Sequence, residues 1–468
     1  MKRTLFIEPL PQLNHLTPQQ VFAHFAHQPF HMLFDSAQHP SAGFDLILFA
    51  PEAVLTAHDQ QLHFQSLKAQ DTTFTLQTSL FESLTSLQTH YFAETDIEIP
   101  SKILPIYQKL PFVVGIAGSF GYELNTFLET LPTPKNRYQT PDMIAGVFTQ
   151  SIIYDRTEKC YYHCYLSRVP LEAPKIGDVT CDHSAFTLTS DWHADKTQAQ
   201  YVQSINAIHE YILSGDCYQV NFAMRFAARY SGDEYAAYCL LSQHNQAPFS
   251  SFIRTVQGAI LSISPERFIQ IKENQVNTKP IKGTMPRFVD PIEDQASAKK
   301  LLDSEKDRAE NLMIVDLLRN DLSKHCEPHS VKVPKLFALE SYPAVHHLVS
   351  TIEGQLQDNV HPWQLFSGAF PGGSITGAPK VRAMEVIHEL EDTARHIYCG
   401  SIGYVGIKND MDSNIAIRTL LCEHGQIYCW AGGGIVLDSN AQDEYAELHA
   451  KVSKILPLLK EQSPGATR

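Results

Sequence analysis

Ahead of about residue 167 the chain is built from short apolar runs. GFDLILFA and AGVFTQSIIYD alternate between Pro, Asn and Gly punctuation, which predicts strands and a β-rich first part. The pattern then changes. Tyr201, Val202, Ile205, Ile208, Tyr211 and Ile212 recur at helical spacing, and Gly215 is placed to end that helix. In CYQVNFAMRF a period of two puts Tyr218, Val220, Phe222 and Met224 on one face and Gln219, Asn221 and Arg225 on the other. Such a polar face reads first as a solvated outer surface and second as the lining of a cleft. GAILSISPERFIQIKE is a strand interrupted at Pro265, where the ladder must bulge or lie at an edge, and Glu266 stands at that irregularity. Gln295 to Leu322 reads as one long helix whose middle, NLMIVDLL, is apolar nearly all round and therefore buried. Helices and strands that alternate without a doubly wound order predict an α+β protein with large antiparallel sheets. The largest shift in composition, SRVPLEAPKIGDVTCDHSAF, marks a linker or crossover between a region over 1–185 and a second over 186–462.

Composition narrows the partners. The chain has 468 residues, 43% hydrophobic and 19% charged, enough for a large core. Lys and Arg total 37 against 51 Asp and Glu, and the net charge of -14 would repel nucleic acid and anionic lipid alike. A small anionic substrate would need a local cluster of cations, helix N-termini or a bound metal. The apolar run at the N-terminus stops at Glu8 and Pro9, too short for a signal-peptide core, and no segment reaches the ~18 apolar residues of a membrane span. Nine scattered cysteines fit a reducing, cytoplasmic setting. Cys160 and Cys164 have no second Cys/His pair at zinc spacing and read as strand residues.

Several segments can carry chemistry, each with an ordinary alternative. FPGGSITGAPK couples Gly372, Gly373 and Gly377 to a helix starting near Pro379, a geometry that binds anions but also makes a plain tight turn. It is no Walker loop, because Ala378 stands where the lysine belongs. After AGGGIVLDS, Glu444, Glu447 and Lys451 can share one helix face, either as a surface ion pair or with Glu447 as a ligand for a hard cation. Glu310 is the natural second carboxylate, since it precedes an apolar run where an unpaired charge would be costly. Lys282, in TKPIKGTMPR, reads by base rates as a surface lysine, or as a nucleophile if something holds its amine neutral. His347 reads by default as a hydrogen-bonded core histidine.

Taken together and in order, GDCYQVN, SISPERF, PIKGTMPR, KDRAENLMIVDLLRNDL, SYPAVHHLVSTI, GGSITGAPK, GSIGYVG, AIRT, AGGGIV and EYAELHAK resemble the chorismate-utilising family. That family contains anthranilate synthase component I, aminodeoxychorismate synthase component I, and the isochorismate and salicylate synthases. The likeness is close over about the last 270 residues and looser over MLFDSA, GSFGYEL and PDMIAGVF in the first part. It implies a sandwich of large antiparallel sheets with helices outside, an N-terminal region of the anthranilate synthase component I type over 1–185 and a chorismate-binding catalytic domain over 186–462. It also implies Mg²⁺ held by Glu310 and Glu447. Arg418, Lys451, Tyr404, Ser374 and the backbone at Gly432 and Gly434 would bind the substrate carboxylates, with His347 and Gln219 as further contacts.

Two positions point to the branch. Isochorismate-forming relatives carry a lysine base where this chain has Gln219, and anthranilate synthases usually carry Ala where it has Lys282. The lysine resembles the aminodeoxychorismate pattern, in which Glu266 protonates the departing hydroxyl at ring carbon 4 and Lys282 adds at carbon 2. Glu266 should then have a raised pKa. Ammonia would come from a separate glutamine amidotransferase subunit in a heterodimer, because the chain shows no glutaminase module. Release of pyruvate to give para-aminobenzoate would need another enzyme. NQAPFSSF departs from the NPSPY of feedback-inhibited anthranilate synthases, while Ser36 keeps a residual tryptophan pocket in view. Two rivals stand beside this reading: an anthranilate synthase component I, and a non-catalytic tryptophan-binding regulatory subunit.

Overall fold

The computed structural model describes residues 2–37, 39, 43–68, 74–132, 138–177, 186–342 and 345–461. Two large sheets dominate it. The first runs in the order Thr187–Leu188, Gln219–Ser231, Gln426–Ile435, Thr419–Glu423, Gly258–Ser264, Phe249–Arg254, Met32–Asp35, Phe44–Leu48, Gln150–Asp155, Cys160–Ser167, Arg3–Pro9 and Ile97–Glu98. The second runs Ile281–Pro286, Val345–Gln355, Gln275–Thr278, Arg267–Lys272, Met411–Asn414, Ser401–Gly406, Gly115–Phe120, Met143–Phe148, Ala53–His58 and Gln61–Ser66. Neighbours along both are antiparallel except Arg3–Pro9 beside Ile97–Glu98. Strands from before residue 177 and after residue 186 mix in each sheet; the boundary at 185 and part of the linker fall in 178–185, outside the described residues.

The sheets pack face to face. Leu46, Leu48, Ile153 and Ile253 of the first meet Leu55, Ile116, Val147 and Ile269 of the second in one core. Their sequence neighbours Ile47, Ile152 and Phe252 point the other way, into a second core against Phe22, Tyr201, Ile205, Tyr235 and Leu448 from helices on the outside. A strand covered on both faces needs apolar residues at consecutive positions, which is why LILF and SIIY lose strict alternation. The second sheet is backed by the helices Leu80–Phe92, Glu305–Ser323 and Pro362–Ala369. The α+β sandwich expected from the sequence is the observed architecture. No helix among the described residues is long and apolar enough to cross a membrane.

Several local expectations change. Gln219 and Asn221 are 0% and 6% exposed, so the polar face of their strand is interior, while Tyr218, expected on the apolar face, is 72% exposed just ahead of the strand. The single long helix is two, Pro291–Leu302 and Glu305–Ser323, because the Ser304 hydroxyl accepts the Asp307 N–H and caps a new start. Within the second, Ile314, Val315 and Leu318 are buried but Leu312 is 46% exposed: the apolar character is a stripe. Pro379 caps the helix Lys380–Leu390 from outside its first turn. The helix anticipated around residue 205 is Gln198–Leu213, opened by a Thr197–Gln200 capping box, and Cys160 and Cys164 lie in the strand Cys160–Ser167.

Candidate active site

The break at Pro265 is neither a bulge nor an edge: the chain leaves one sheet at Ser264 and enters the other at Arg267. It crosses back between Asn414 and Thr419. The crossings touch, with the Ile415 N–H donating to the Glu266 carbonyl at 3.0 Å, the Ser264 hydroxyl to the Ile415 carbonyl at 2.6 Å, and the Ile263 N–H to the Arg418 carbonyl at 3.1 Å. Glu266 and Arg418 thus sit where ladder pairing is interrupted and side chains are released from sheet packing.

Glu266 is 6% exposed. Burial pushes its carboxyl up to about 7, against the charge of Lys282, a hydrogen bond from the Ser374 hydroxyl at 3.3 Å and another from the Ile281 backbone. The raised pKa anticipated from the sequence is met. Lys282 lies on the strand Ile281–Pro286, whose register against Val345–Gln355 slips between Lys282 and Thr284. Gly283, at φ +75°, forms that slip and turns the lysine side chain inward, where it is 14% exposed. A surface lysine is therefore excluded. Its Nζ stands 3.9 Å from Glu310 Oε2.

Glu310 projects from the helix Glu305–Ser323. Burial raises its pKa, with Lys282 and Lys306 pulling the other way. Lys306, one turn before it, lies 3.9 Å from Glu310 and 3.4 Å from Glu444. The helix Ala441–Val452 carries Glu444, which is buried and accepts from the Ser439 hydroxyl at 2.7 Å, and the exposed Glu447. Partial loss of solvent on its packed side pushes the half-exposed Glu447 up, but the charge and hydrogen bond of Lys451, at 2.8 Å, outweigh it and hold the carboxyl below its usual range. Lys451 also donates to the Gly432 carbonyl at 2.9 Å. A Cβ on Gly434 would lie 2.7 Å from the Gln219 amide nitrogen, so a larger residue there would have to displace the end of the buried glutamine, whose nitrogen and oxygen both lack a protein partner among the described residues.

Beside this cluster lies a cavity of about 750 Å³. Pro265, Arg267, Ile281 and Thr284, neighbours in sequence of Glu266 and Lys282, form one wall, with Lys279, His347, Arg418, Lys451 and Lys454 around it. Burial lowers the pKa of Arg418, and among the described residues no carboxylate pairs with it. His347 is pushed down to about 4, by burial first and the Arg418 charge second, and shares a 2.9 Å hydrogen bond with the Thr284 hydroxyl. It is a neutral histidine at the cavity rather than in the core. Among the described residues Lys279 pairs with the lining carboxylate Glu340, Arg267 with Asp412 and Lys451 with Glu447, which leaves Arg418 and Lys454, with Lys451 beside them, as the local cations that a chain of net charge -14 needs to hold an anion.

Tyr404, expected among the carboxylate contacts, lies elsewhere: it packs its ring edge-on to Phe34 and Phe112 and, with Ser36, lines a separate cavity of about 340 Å³. Ser36 donates to Asp45 from both its backbone N–H and its hydroxyl. Sequence reading missed Lys306, although its spacing of four from Glu310 was a visible signal, and it missed Lys279 and Arg267, which carry none.

No group of three or more His, Cys, Asp or Glu forms a ready metal centre among the described residues. The donors nonetheless suit a hard cation. Mg²⁺ takes one or two carboxylates and completes its shell with water and ligand oxygens, and the largely buried Glu310 carboxylate, with only the two lysines at 3.9 Å to offset its charge, is a donor of that kind.

Residues 29–457 match the family described as chorismate binding enzyme, and the chain belongs to that family. Among curated proteins it is 45% identical over 448 residues to aminodeoxychorismate synthase component 1 of Escherichia coli (strain K12), covering 94% of this chain and 95% of that one. It is 32% identical over 395 residues to anthranilate synthase component 1 of Bacillus caldotenax, with 78% of each covered. Among solved structures, anthranilate synthase component I from Streptococcus pneumoniae TIGR4 superposes with a TM-score of 0.72 at 26% identity, over 88% of this chain and 92% of the other.

Proposed function

We propose that this chain aminates chorismate at ring carbon 4, giving 4-amino-4-deoxychorismate, as the chorismate-binding component of an aminodeoxychorismate synthase. The observation that carries the reading is the pairing of Glu266, buried and protonated near neutrality, with the inward Lys282 beside a cation-lined cavity. The similarity to the Escherichia coli component over nearly the whole chain supports the same branch.

Arg418 and Lys451, with the backbone at Gly432 and Gly434 and the neutral His347, hold the two substrate carboxylates. Glu266 donates its proton to the hydroxyl leaving carbon 4 while the neutral Lys282 amine adds at carbon 2, moving both ring double bonds and expelling water. Ammonia then adds at carbon 4 and gives up a proton to the Glu266 carboxylate, both double bonds shift back and Lys282 departs with its electron pair. The enolpyruvyl group stays in place. Gln219, with amide donors and acceptor open, orients the incoming ammonia; it cannot serve as a base, which disfavours attack by water. Glu310 and Glu447 would hold Mg²⁺, which supplies charge to a substrate carboxylate when bound. The ammonia comes from a glutamine amidotransferase subunit in a heterodimer.

The test is to incubate the chain alone with chorismate, Mg²⁺ and concentrated ammonium salt and to weigh the products. An amino product retaining its enolpyruvyl group, with at least a hundredfold loss in Lys282→Ala, is the expected result, on the order of what removal of a nucleophile costs. Anthranilate and pyruvate would assign the chain to the other branch, and no turnover would leave a binding subunit.

A further inference from the structure

Glu391 and Arg395 follow the helix Lys380–Leu390, and neither lines the large cavity. Arg395 is nevertheless 1% exposed and makes four side-chain hydrogen bonds. Its Nε reaches Glu391 Oε2 at 2.9 Å and its Nη2 reaches Glu391 Oε1 at 2.7 Å. Nη1 donates to the carbonyl of Ile375 at 3.0 Å, and Nη2 also to the carbonyl of Asn221 at 2.7 Å. Glu391 Oε1 in turn accepts the Ala223 N–H at 2.9 Å, and the guanidinium lies 4.7 Å over the Tyr122 ring.

These bonds join two segments that matter. Ile375 follows Ser374, whose hydroxyl rests on the Glu266 carboxyl, and Asn221 lies two positions from Gln219 on the same strand face. The segments also pair directly, Gln219 with Ala378, Val220 with Gly377, and the Asn221 N–H donating to the Thr376 carbonyl at 2.8 Å; Arg395 adds the side-chain tie at Ile375, the residue next to Ser374. A buried ion pair made only for stability would spend its donors on carboxylates, and such pairs add little net stability. Here two of the guanidinium's bonds go to backbone carbonyls beside site residues, which an ammonium on a shorter reach cannot reproduce.

We propose that Arg395 is a positioning residue for this reaction: through Ile375 and Asn221 it fixes the loop of Ser374 against the strand of Gln219, keeping the Ser374 hydroxyl on Glu266. The proposal rests on the reading of Glu266 as the proton donor. The other titratable neighbours of Glu266 are Lys282 and Cys399, and Cys399 also feels Arg395; its thiol is pushed up to about 12, chiefly by burial, and stays neutral. Around Arg395 itself stand Glu391, Glu123, Tyr122 and Tyr398.

The experiment compares wild type, Arg395→Lys, Ser374→Ala and the double variant in single-turnover amination of chorismate by ammonium salt across pH. The Ser374 bond favours the ionised carboxyl, so losing it moves the basic limb of the Glu266 profile upward. Arg395→Lys should lower kcat about ten- to hundredfold with little change in KM, shift that limb upward as Ser374→Ala does, and add little to Ser374→Ala in the double variant. Glu391→Gln, which loosens the guanidinium but leaves it in place, should shift the limb the same way and serves if Arg395→Lys does not fold. Variants that lose thermal stability yet keep the wild-type limb and kcat per folded molecule overturn the proposal. A wild type with no limb near pH 7 overturns the reading of Glu266, and the proposal falls with it.

Discussion

At the residue scale, Glu266 carries opposite consequences for activity and stability. In the proposed reaction its carboxyl must be protonated to act, and burial holds its pKa at about 7. Single-turnover rate should therefore be level below about pH 6 and fall as pH rises through 7; a flat profile from about pH 5 to 8 would count against its role. Stability follows the same proton. The folded pKa lies above the ordinary value of 4.5, so the folded state keeps a proton that the unfolded chain releases, and stability is lost as pH rises from 4.5 through 7. Glu266→Gln should abolish acid catalysis yet stabilise the protein at pH 8 by up to about 3 kcal/mol, with no gain at pH 4. Denaturation midpoints at the two pH values check the sign. The sequence named Glu266, Lys282, Glu310 and Arg418 as candidates, but what sets their proposed roles apart from the ordinary ones is burial, and no local pattern reports burial. Tyr404 shows the converse: a residue inside a family-like motif can face a different cavity.

At the scale of elements, the turn chemistry was legible and the sheet crossings were not. Thr197 and Gln200 announce their capping box, and Gly215 ends that helix at φ +81°. Ser304 was an equally good cap, but it sits inside a window whose apolar content argued for continuity. Pro265 was readable as an interruption; that it marks a change of sheet depends on partners far along the chain. Gly283 joins the two levels. A Cβ there would lie 2.7 Å from Leu301 and 2.9 Å from Asp307, one turn before Glu310, and the backbone is left-handed. Gly283→Ala should cost about 1–2 kcal/mol from the backbone alone. It should also turn Lys282 away from Glu310, so kcat should fall about a hundredfold while the protein remains folded. Wild-type kcat in a variant with a lowered denaturation midpoint would separate the bulge from catalysis.

At the scale of the whole molecule, the sequence signalled two regions, and the strands of both enter each sheet. In the first sheet Phe249–Arg254 pairs with Met32–Asp35, and in the second Ser401–Gly406 pairs with Gly115–Phe120. Cutting at the shift in composition would therefore not separate two cores. A fragment of residues 186–462 keeps every proposed site residue except Ser36, yet it loses the partner of an interior strand in both sheets. Each bared strand is buried and largely apolar: Phe252 and Ile253 in one, Ile402 and Val405 in the other. Long apolar edges of this kind recruit other chains. The fragment expressed alone should aggregate, and coexpression with residues 1–185 should recover soluble, ammonium-dependent activity. A monomeric fragment with a cooperative melt and turnover of its own would show that the catalytic part closes its sheets without the first region, and that the shared sandwich is not what holds Glu266 and Arg418 at their crossings.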